Sequence, residues 1–231
     1  MHSEHESFVF INECRYALDQ LFRTLFLRQE AIDNINRNLA AEIEQAEKLF
    51  TEVFIEQDQW SPNANFYYVQ YMEQMKKLAD NKTGIATEKE REQRVREMLA
   101  RFGATEESMA VLASAILQLG KQVLSFRFGT KPDLQSIRMI GSQSIIEVIW
   151  EGRNHALHWE DSNPRKPVRD MLQKLQQDQG IKLIMGRNNA LAIIAVLEWK
   201  NTNHVVQDLQ SLVVAKATQA PPKPLSLMRS R

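Results

Sequence analysis

The sequence contains a single cysteine, and this scarcity sets the first limit on its chemistry. Cys14 cannot form a disulfide within the chain, and no group of Cys and His residues has the spacing of zinc ligands. These absences predict a fold without disulfides, metal or cofactor, in a reducing compartment. Cys14 lies among apolar residues at helical spacing, and we expect it to be buried in the core.

Net charge and long apolar runs are also lacking. The 29 basic and 29 acidic residues cancel, so any nucleic-acid ligand would have to be bound by a local cluster of cations and not by the field of the whole protein. No stretch approaches the roughly 18 consecutive apolar residues of a membrane span, and no apolar signal region is present. We expect a cytoplasmic protein that does not bind a membrane.

Apolar residues recur at helical spacing along most of the 231 residues. They form one helical face from Phe8 to Leu27 and repeat every seven residues from Ile32 to Val53. With a polar hinge at Arg28 and Gln29, this pattern predicts an antiparallel helical hairpin, and a dimeric coiled coil is the alternative. The predicted organisation is an N-terminal helical region over 1–82, a helical domain over 85–215 and a disordered basic tail over 216–231.

Capping residues divide the second region into further helices. One helix is predicted from Thr87 to Gly103, a second from Thr105 to Gly129, and a third from Thr130 onward. Later helices are predicted over Arg165–Gln177, Arg187–Trp199 and Val205–Ala215, with a loop over 181–185. The chain is therefore predicted to be all-α.

Near the end of the third predicted helix, the segment Ile149–Asp161 combines two histidines, one arginine, three acids and two tryptophans. Arg153 and His158 lie five positions apart, and Asn154 directly follows the arginine. The arginine supplies a fixed cation, and a histidine supplies a group that titrates near neutral pH, so this segment has the residue types for binding an anion and transferring a proton.

This Arg153-Asn154-x3-His158 pattern resembles the R-x4-6-H motif of the HEPN superfamily of α-helical ribonucleases. The segment 115–122 is also similar to the helix that precedes the motif helix in stand-alone HEPN proteins. The resemblance implies a helical bundle of HEPN type, extended here by the N-terminal hairpin. It also implies a metal-independent endoribonuclease, acting on single-stranded or loop RNA as a toxin or antiviral defence effector. In such an enzyme Arg153 would bind the scissile phosphate, and His158 would serve as acid or base during attack by the 2′-hydroxyl.

The same resemblance implies partners. HEPN domains place the motif at a helix end beside a two-fold axis, so a homodimer with a composite active site is expected, together with an antitoxin or regulatory protein. One HEPN toxin subgroup has a tyrosine two residues after the histidine, where this chain has Glu160. Silencing by nucleotidylation of that tyrosine is therefore not expected.

Helix geometry constrains the motif. On an ideal helix, Arg153 and His158 would be about 140° apart and about 7.5 Å apart along the axis. Either the helix ends between them or a second subunit completes the site. Asn154 lies four residues before His158 and is expected to orient that histidine or a phosphate oxygen.

Three further residues are predicted to support the site. Glu151 and His155 are four apart, which predicts a surface pair, while Glu147 would brace Arg153 or Glu151. A second catalytic role for His155 is the alternative to that surface pair. The flanking tryptophans would stack on a base or be buried at a dimer interface.

Two other interpretations compete with this one. The first is a non-catalytic HEPN-like scaffold that binds nucleotides or a partner protein, with Arg153 and His158 as interface residues. The second is a purely structural helical assembly protein, which the seven-residue repeat from Ile32 to Val53 indicates. Gly186–Leu191 nearly repeats Gly152–Leu157, but Ala192 stands where the histidine would be. Arg187 is therefore predicted to be structural.

Overall fold

The computed structural model describes residues 1–55, 88–134 and 137–215. Helices dominate these residues, which confirms the all-α class, and the strands among them form one two-stranded hairpin. The predicted boundary between residues 82 and 85 and the tail over 216–231 lie outside the described residues. In chain order the elements are α1 (Glu4–Ile55), α2 (Glu88–Phe128), β1 (Met139–Ile140), β2 (Gln143–Ser144), α3 (Ile145–Leu157), α4 (Lys166–Gln179), α5 (Ala190–Val196) and α6 (Thr202–Val214).

Helix α1 is 52 residues long and continues through Arg28 and Gln29. The predicted helical hairpin is therefore wrong over these residues. Arg and Gln both have high helix propensity, and the segment 4–55 contains neither glycine nor proline, so polar side chains alone do not end the helix. A coiled coil formed with a second chain stays a prediction.

Helix α2 joins two helices that the sequence predicted to be separate. It passes through Gly103 and ends before Gly129, whose φ of 75° lies in the left-handed region. A lone glycine inside a helix costs about 1 kcal/mol relative to alanine. So small a cost does not end the helix, and the predicted stop at Gly103 is wrong.

The helix predicted from Thr130 does not form until Ile145. Instead, Met139–Ile140 pairs antiparallel with Gln143–Ser144, and the hairpin runs directly into α3. The capping signal at Thr130 was therefore misinterpreted, and a hairpin was missed.

Local hydrogen bonds account for both the hairpin and the start of α3. Gly141 has a φ of 58°, as a two-residue hairpin turn requires. Ser142 donates from its backbone nitrogen and its hydroxyl to Asp178 Oδ2, at 2.7 and 2.6 Å. Ser144 caps α3, since its Oγ accepts from the backbone nitrogen of Glu147 at 3.1 Å.

The chain packs as two compact units, Met1–Phe26 with Glu107–Arg231, and Leu27–Glu106. The first unit holds the buried core around the candidate site. Cys14 is buried, as predicted. The largest fully buried side chains of this unit include Leu18, Ile116, Leu117, Leu124, Ile145, Ile149, Met171, Leu175, Ile193 and Leu197.

Two glycines of the first unit let its helices pack closely. A Cβ on Gly152 of α3 would lie 3.0 Å from Ile193 Cγ2 of α5. A Cβ on Gly120 of α2 would lie 3.0 Å from the Trp199 ring. Both positions therefore need the smallest side chain, Gly152 to keep α3 close to α5 and Gly120 to keep α2 close to the Trp199 ring.

Within the described ranges, the segment Gln93–Phe128 of α2 is long and apolar enough to cross a membrane by composition. Of its most apolar 18 residues, 44% are buried inside the protein. Cytoplasmic localisation stays a prediction.

Candidate functional site

Helix α3 carries most of the residues that the sequence singled out. Val148 and Ile149 are buried in the core, and Arg153 and Asn154 are half-buried. The helix ends at Leu157, and the next residue, His158, is its C-cap, with φ −131° and ψ 32°. Arg153 thus lies in the last turn and a half of the helix, and the histidine follows at its end.

The Arg153 guanidinium is held between α3 and α2. Its Nε donates to Gln118 Oε1 on α2, and its Nη1 donates to Asn154 Oδ1 at 3.4 Å. Burial lowers the pKa of Arg153, although an arginine stays charged. No carboxylate forms an ion pair with Arg153 in the part of the chain that the structure describes.

Lys121 lies one helical turn after Gln118 on α2 and approaches the same oxygen. Its Nζ is 3.5 Å from Asn154 Oδ1 and 4.7 Å from the centre of the Trp150 ring. Burial and the nearby charge of Arg153 lower the pKa of Lys121, against an opposing effect of Glu151. Among the described residues Lys121 has no ion pair either, and we call Lys121 and Arg153 the cation pair.

Glu147, Glu151 and Lys131 form a cluster that supports the cation pair through Asn154. Lys131 Nζ donates to Glu147 Oε2 at 2.8 Å and to Glu151 Oε1 at 2.9 Å. Burial lowers the pKa of Lys131, but hydrogen bonds and charges from the two glutamates raise it above its usual value. Glu151 is only 5% exposed, and its Oε2 accepts from Asn154 Nδ2 at 3.0 Å. Glu147 is linked to Glu151 through Lys131.

Asn154 therefore orients the cation pair and not His158. Its oxygen accepts from Arg153 and Lys121, while its amide donates to Glu151. His158 is exposed, and its side chain has no hydrogen bond or ion pair with the described residues. Within one chain, no hydrogen bond joins Arg153 and His158.

His155 points into the core, and the predicted surface pair with Glu151 is wrong. It is 3% exposed, and its Nε2 lies 3.0 Å from Asn189 Nδ2 and 3.4 Å from the Asn189 backbone nitrogen. Burial lowers its pKa, against an opposing hydrogen bond to the backbone of Arg187. A neutral imidazole offers Glu151 no charge, and the carboxylate is bound to Lys131 instead.

Comparison with known proteins gives no information on the function of these contacts. No family model, curated protein or solved structure matches this chain. Across residues 1–55, 88–134 and 137–215, no group of three or more His, Cys, Asp or Glu side chains is placed to hold a metal ion. The chemistry must therefore be inferred from the site's own residues.

The near-repeat at 186–191 contributes structure that the sequence did not indicate. Asn189 is 8% exposed; its Oδ1 accepts from the Ile184 backbone nitrogen, and its Nδ2 donates to the carbonyls of Ile184 and Arg187. It thereby orders the loop before α5 and presents its amide to His155. The Arg187 side chain is exposed and outside the cation pair.

Four residues of the site and its support were missed by sequence reasoning. Gln118 and Lys121 lie in the segment 115–122 and are three residues apart, so the sequence indicates that they share a helical face. It does not indicate that this face packs against α3. Lys131 and Asn189 lie 20 and 34 residues from their partners Glu151 and His155. No local pattern could have paired them.

Of the two flanking tryptophans, Trp150 is half-buried and lies beneath Lys121, whereas Trp159 is 36% exposed. The Trp150 ring therefore has the Lys121 ammonium as a neighbour within the protein. Trp159 follows His158 at the exposed end of α3 and remains accessible from solvent.

Proposed function

We propose that this protein is a metal-independent endoribonuclease of HEPN type that cleaves RNA through attack by the 2′-hydroxyl. The observation that supports this function best is the cation pair. Lys121 and Arg153 are partly buried, share the oxygen of Asn154 and have no carboxylate partner among the described residues. Two adjacent cations that form no ion pair favour an anion such as the scissile phosphate.

The proposed reaction divides its tasks between these residues. Arg153 and Lys121 bind the non-bridging phosphate oxygens and stabilise the charge that develops on them. The 2′-oxygen loses its proton and bonds to phosphorus as the bond from phosphorus to the 5′-oxygen breaks, and the 5′-oxygen takes up a proton. The products are a 2′,3′-cyclic phosphate and a 5′-hydroxyl. His158 serves as base or acid.

The position of His158 favours a homodimer with composite active sites. Residues 153–157 are helical, and His158 follows them directly. The backbone of His158 therefore begins about 140° around the helix axis from Arg153 and about 7.5 Å along it, as on an ideal helix. A second copy would bring its own His158 to the first copy's cation pair, as a two-fold arrangement allows. RNA as the substrate, a role as toxin or defence effector, and an antitoxin or regulatory partner belong to the same proposal.

The decisive experiment is incubation of the purified protein with labelled RNA in EDTA, scored for 2′,3′-cyclic phosphate ends. We expect cleavage by the wild type and a loss of at least about 100-fold in Arg153→Ala and His158→Ala, the usual scale of acid–base and electrostatic contributions. Arg187→Ala and His5→Ala are matched controls, because both side chains are exposed and outside the site. Full activity in either motif variant would contradict the proposal.

A second function, a non-catalytic scaffold that binds a nucleotide or a partner protein, is favoured by one observation. Arg153 and Asn154 are already engaged in hydrogen bonds within the chain, as in a structural network, and no described residue orients His158. Under this function the protein would leave RNA intact in the same assay. A nucleotide would nevertheless raise its thermal midpoint, and Arg153→Ala would abolish that rise.

A further inference from the structure

A mostly apolar groove runs between α1 and α2 in the first unit. Its volume is about 520 Å³, within the ~300–1,000 Å³ range of small-molecule sites. It is open to solvent along one side. Its walls include Tyr16, Ala17 and Leu21 of α1, and Ala115, Gln118 and Leu119 of α2. We call it the α1–α2 groove.

Gln118 connects this groove with the cation pair. The same side chain lines the groove and accepts a hydrogen bond from Arg153 Nε. Lys121 follows Gln118 by three residues and therefore lies one turn further along the same face of α2. The apolar groove and the cation pair therefore lie side by side and share Gln118.

The chemistry of the groove limits what can occupy it. A matching ligand has a flat, largely apolar part for the groove and a negative charge for Lys121 and Arg153. A nucleotide has both. Tyr16 is 74% exposed, so its ring is available to stack on a base, and such stacking accepts any base because each has a π-face.

We propose that the α1–α2 groove binds an unpaired nucleobase of single-stranded RNA whose adjacent phosphate is bound by Lys121 and Arg153. This proposal rests on the proposed function and adds the site that binds an unpaired base, because a base within a duplex cannot enter the groove. Stacking and apolar contact supply affinity, and the cation pair sets the position of the phosphate.

The test measures binding and contact position separately from cleavage. Ala17→Trp fills the groove without changing the cation pair, and Ala195→Trp is a matched control, because Ala195 is an exposed alanine of α5. Affinity for a fluorescent single-stranded RNA oligonucleotide is measured by anisotropy. A thiouridine-containing oligonucleotide is photo-crosslinked, and the crosslinked peptides are mapped by mass spectrometry.

We expect crosslinks in residues 16–24 or 115–119 of the wild type and of Ala195→Trp. Ala17→Trp should lose these crosslinks and bind the oligonucleotide about tenfold or more weakly, the scale of one stacked base. Duplex RNA should bind more weakly than single-stranded RNA to the wild type. Unchanged circular dichroism of Ala17→Trp establishes that the variant is folded.

The outcomes separate this proposal from the function on which it rests. Cleavage by the wild type with crosslinks confined to residues outside the groove, or with full RNA affinity in Ala17→Trp, would overturn the groove proposal alone. Groove crosslinks without any cleavage would retain RNA binding there and reject the nuclease. A change of oligomeric state in Ala17→Trp at unchanged RNA affinity would assign the groove to a second copy of the chain and also overturn the proposal.

Discussion

At the scale of single residues, the two histidines of the motif have opposite environments. His155 is buried against Asn189, whereas His158 is exposed at the end of α3. A histidine that exchanges protons with a substrate must be reachable by that substrate. Only His158 meets this requirement, and His155 instead connects α3 with the loop before α5.

The buried position of His155 makes stability depend on pH. Because burial lowers its pKa below the usual value of 6.5, the unfolded chain binds a proton more readily than the folded one. The free energy of unfolding should therefore fall as pH falls below about 6.5, by at most about 1.4 kcal/mol per pH unit for one proton.

Urea unfolding at a series of pH values tests this dependence. The slope of stability against pH should be smaller in His155→Gln than in the wild type. Equal slopes in the wild type and His155→Gln would show that His155 does not titrate differently on unfolding.

At the scale of the elements, Lys131 links the segment before the hairpin to α3. Its ammonium lies between Glu147 and Glu151, which are one turn apart on the helix. Without it, two carboxylates of like charge face each other, one of them buried. The position of Asn154 depends on Glu151, so this ion pair also supports the cation pair.

Lys131→Met should therefore lower the free energy of unfolding by about 1–2 kcal/mol, between the values of exposed and buried ion pairs. Adding Glu151→Gln should recover part of this loss, because it removes the repulsion. Lys166→Met is the matched control: its ion pair with Asp170 is exposed and should contribute less than about 0.5 kcal/mol. Equal losses in the two lysine variants, measured by urea unfolding, would contradict this role.

Helix α2 contains two glycines that should respond in opposite ways to alanine. Gly103 has open space where a Cβ would lie and no positive φ, so Gly103→Ala should stabilise the protein by about 0.5–1 kcal/mol. Gly120→Ala would bring a Cβ to 3.0 Å from the Trp199 ring and 3.4 Å from Ile149. It should lower the thermal midpoint in calorimetry, despite the same gain in helix propensity. A rise in both variants would show that α2 and Trp199 can separate at no cost.

At the scale of the whole molecule, the separation of Arg153 from His158 favours a site shared by two copies. If each site combines the arginine of one copy with the histidine of the other, two inactive variants should complement each other. An equimolar mixture of Arg153→Ala and His158→Ala should recover roughly a quarter of wild-type cleavage, since half of the dimers are mixed and each has one intact site.

This recovery is measured after the two variants have been unfolded and refolded together, with each variant treated alone as the control. Light scattering should give a dimer for the wild type and for both variants. A mixture as inactive as its components would place the two residues of a working site on one chain.

The periodicity of the sequence was sufficient to predict the helical class, the buried position of Cys14 and the short helices α4 and α6. These features follow from local spacing, because a helix repeats its buried face every three to four residues. The continuity of α1 and α2 through these breaks in the pattern was harder to predict. A polar pair at Arg28 and Gln29 and a single glycine at position 103 cost too little to end a long helix.

The sequence by itself determined that Arg153 and His158 share one short segment and that the segment lies at a helix end. Only the tertiary structure decided which polar residues meet. Glu151 is bound to Lys131, 20 positions away, and not to its helical neighbour His155, while Lys121 reaches Asn154 across 33 positions. Local spacing makes several partners geometrically possible, but burial and charge, which depend on distant parts of the chain, select among them.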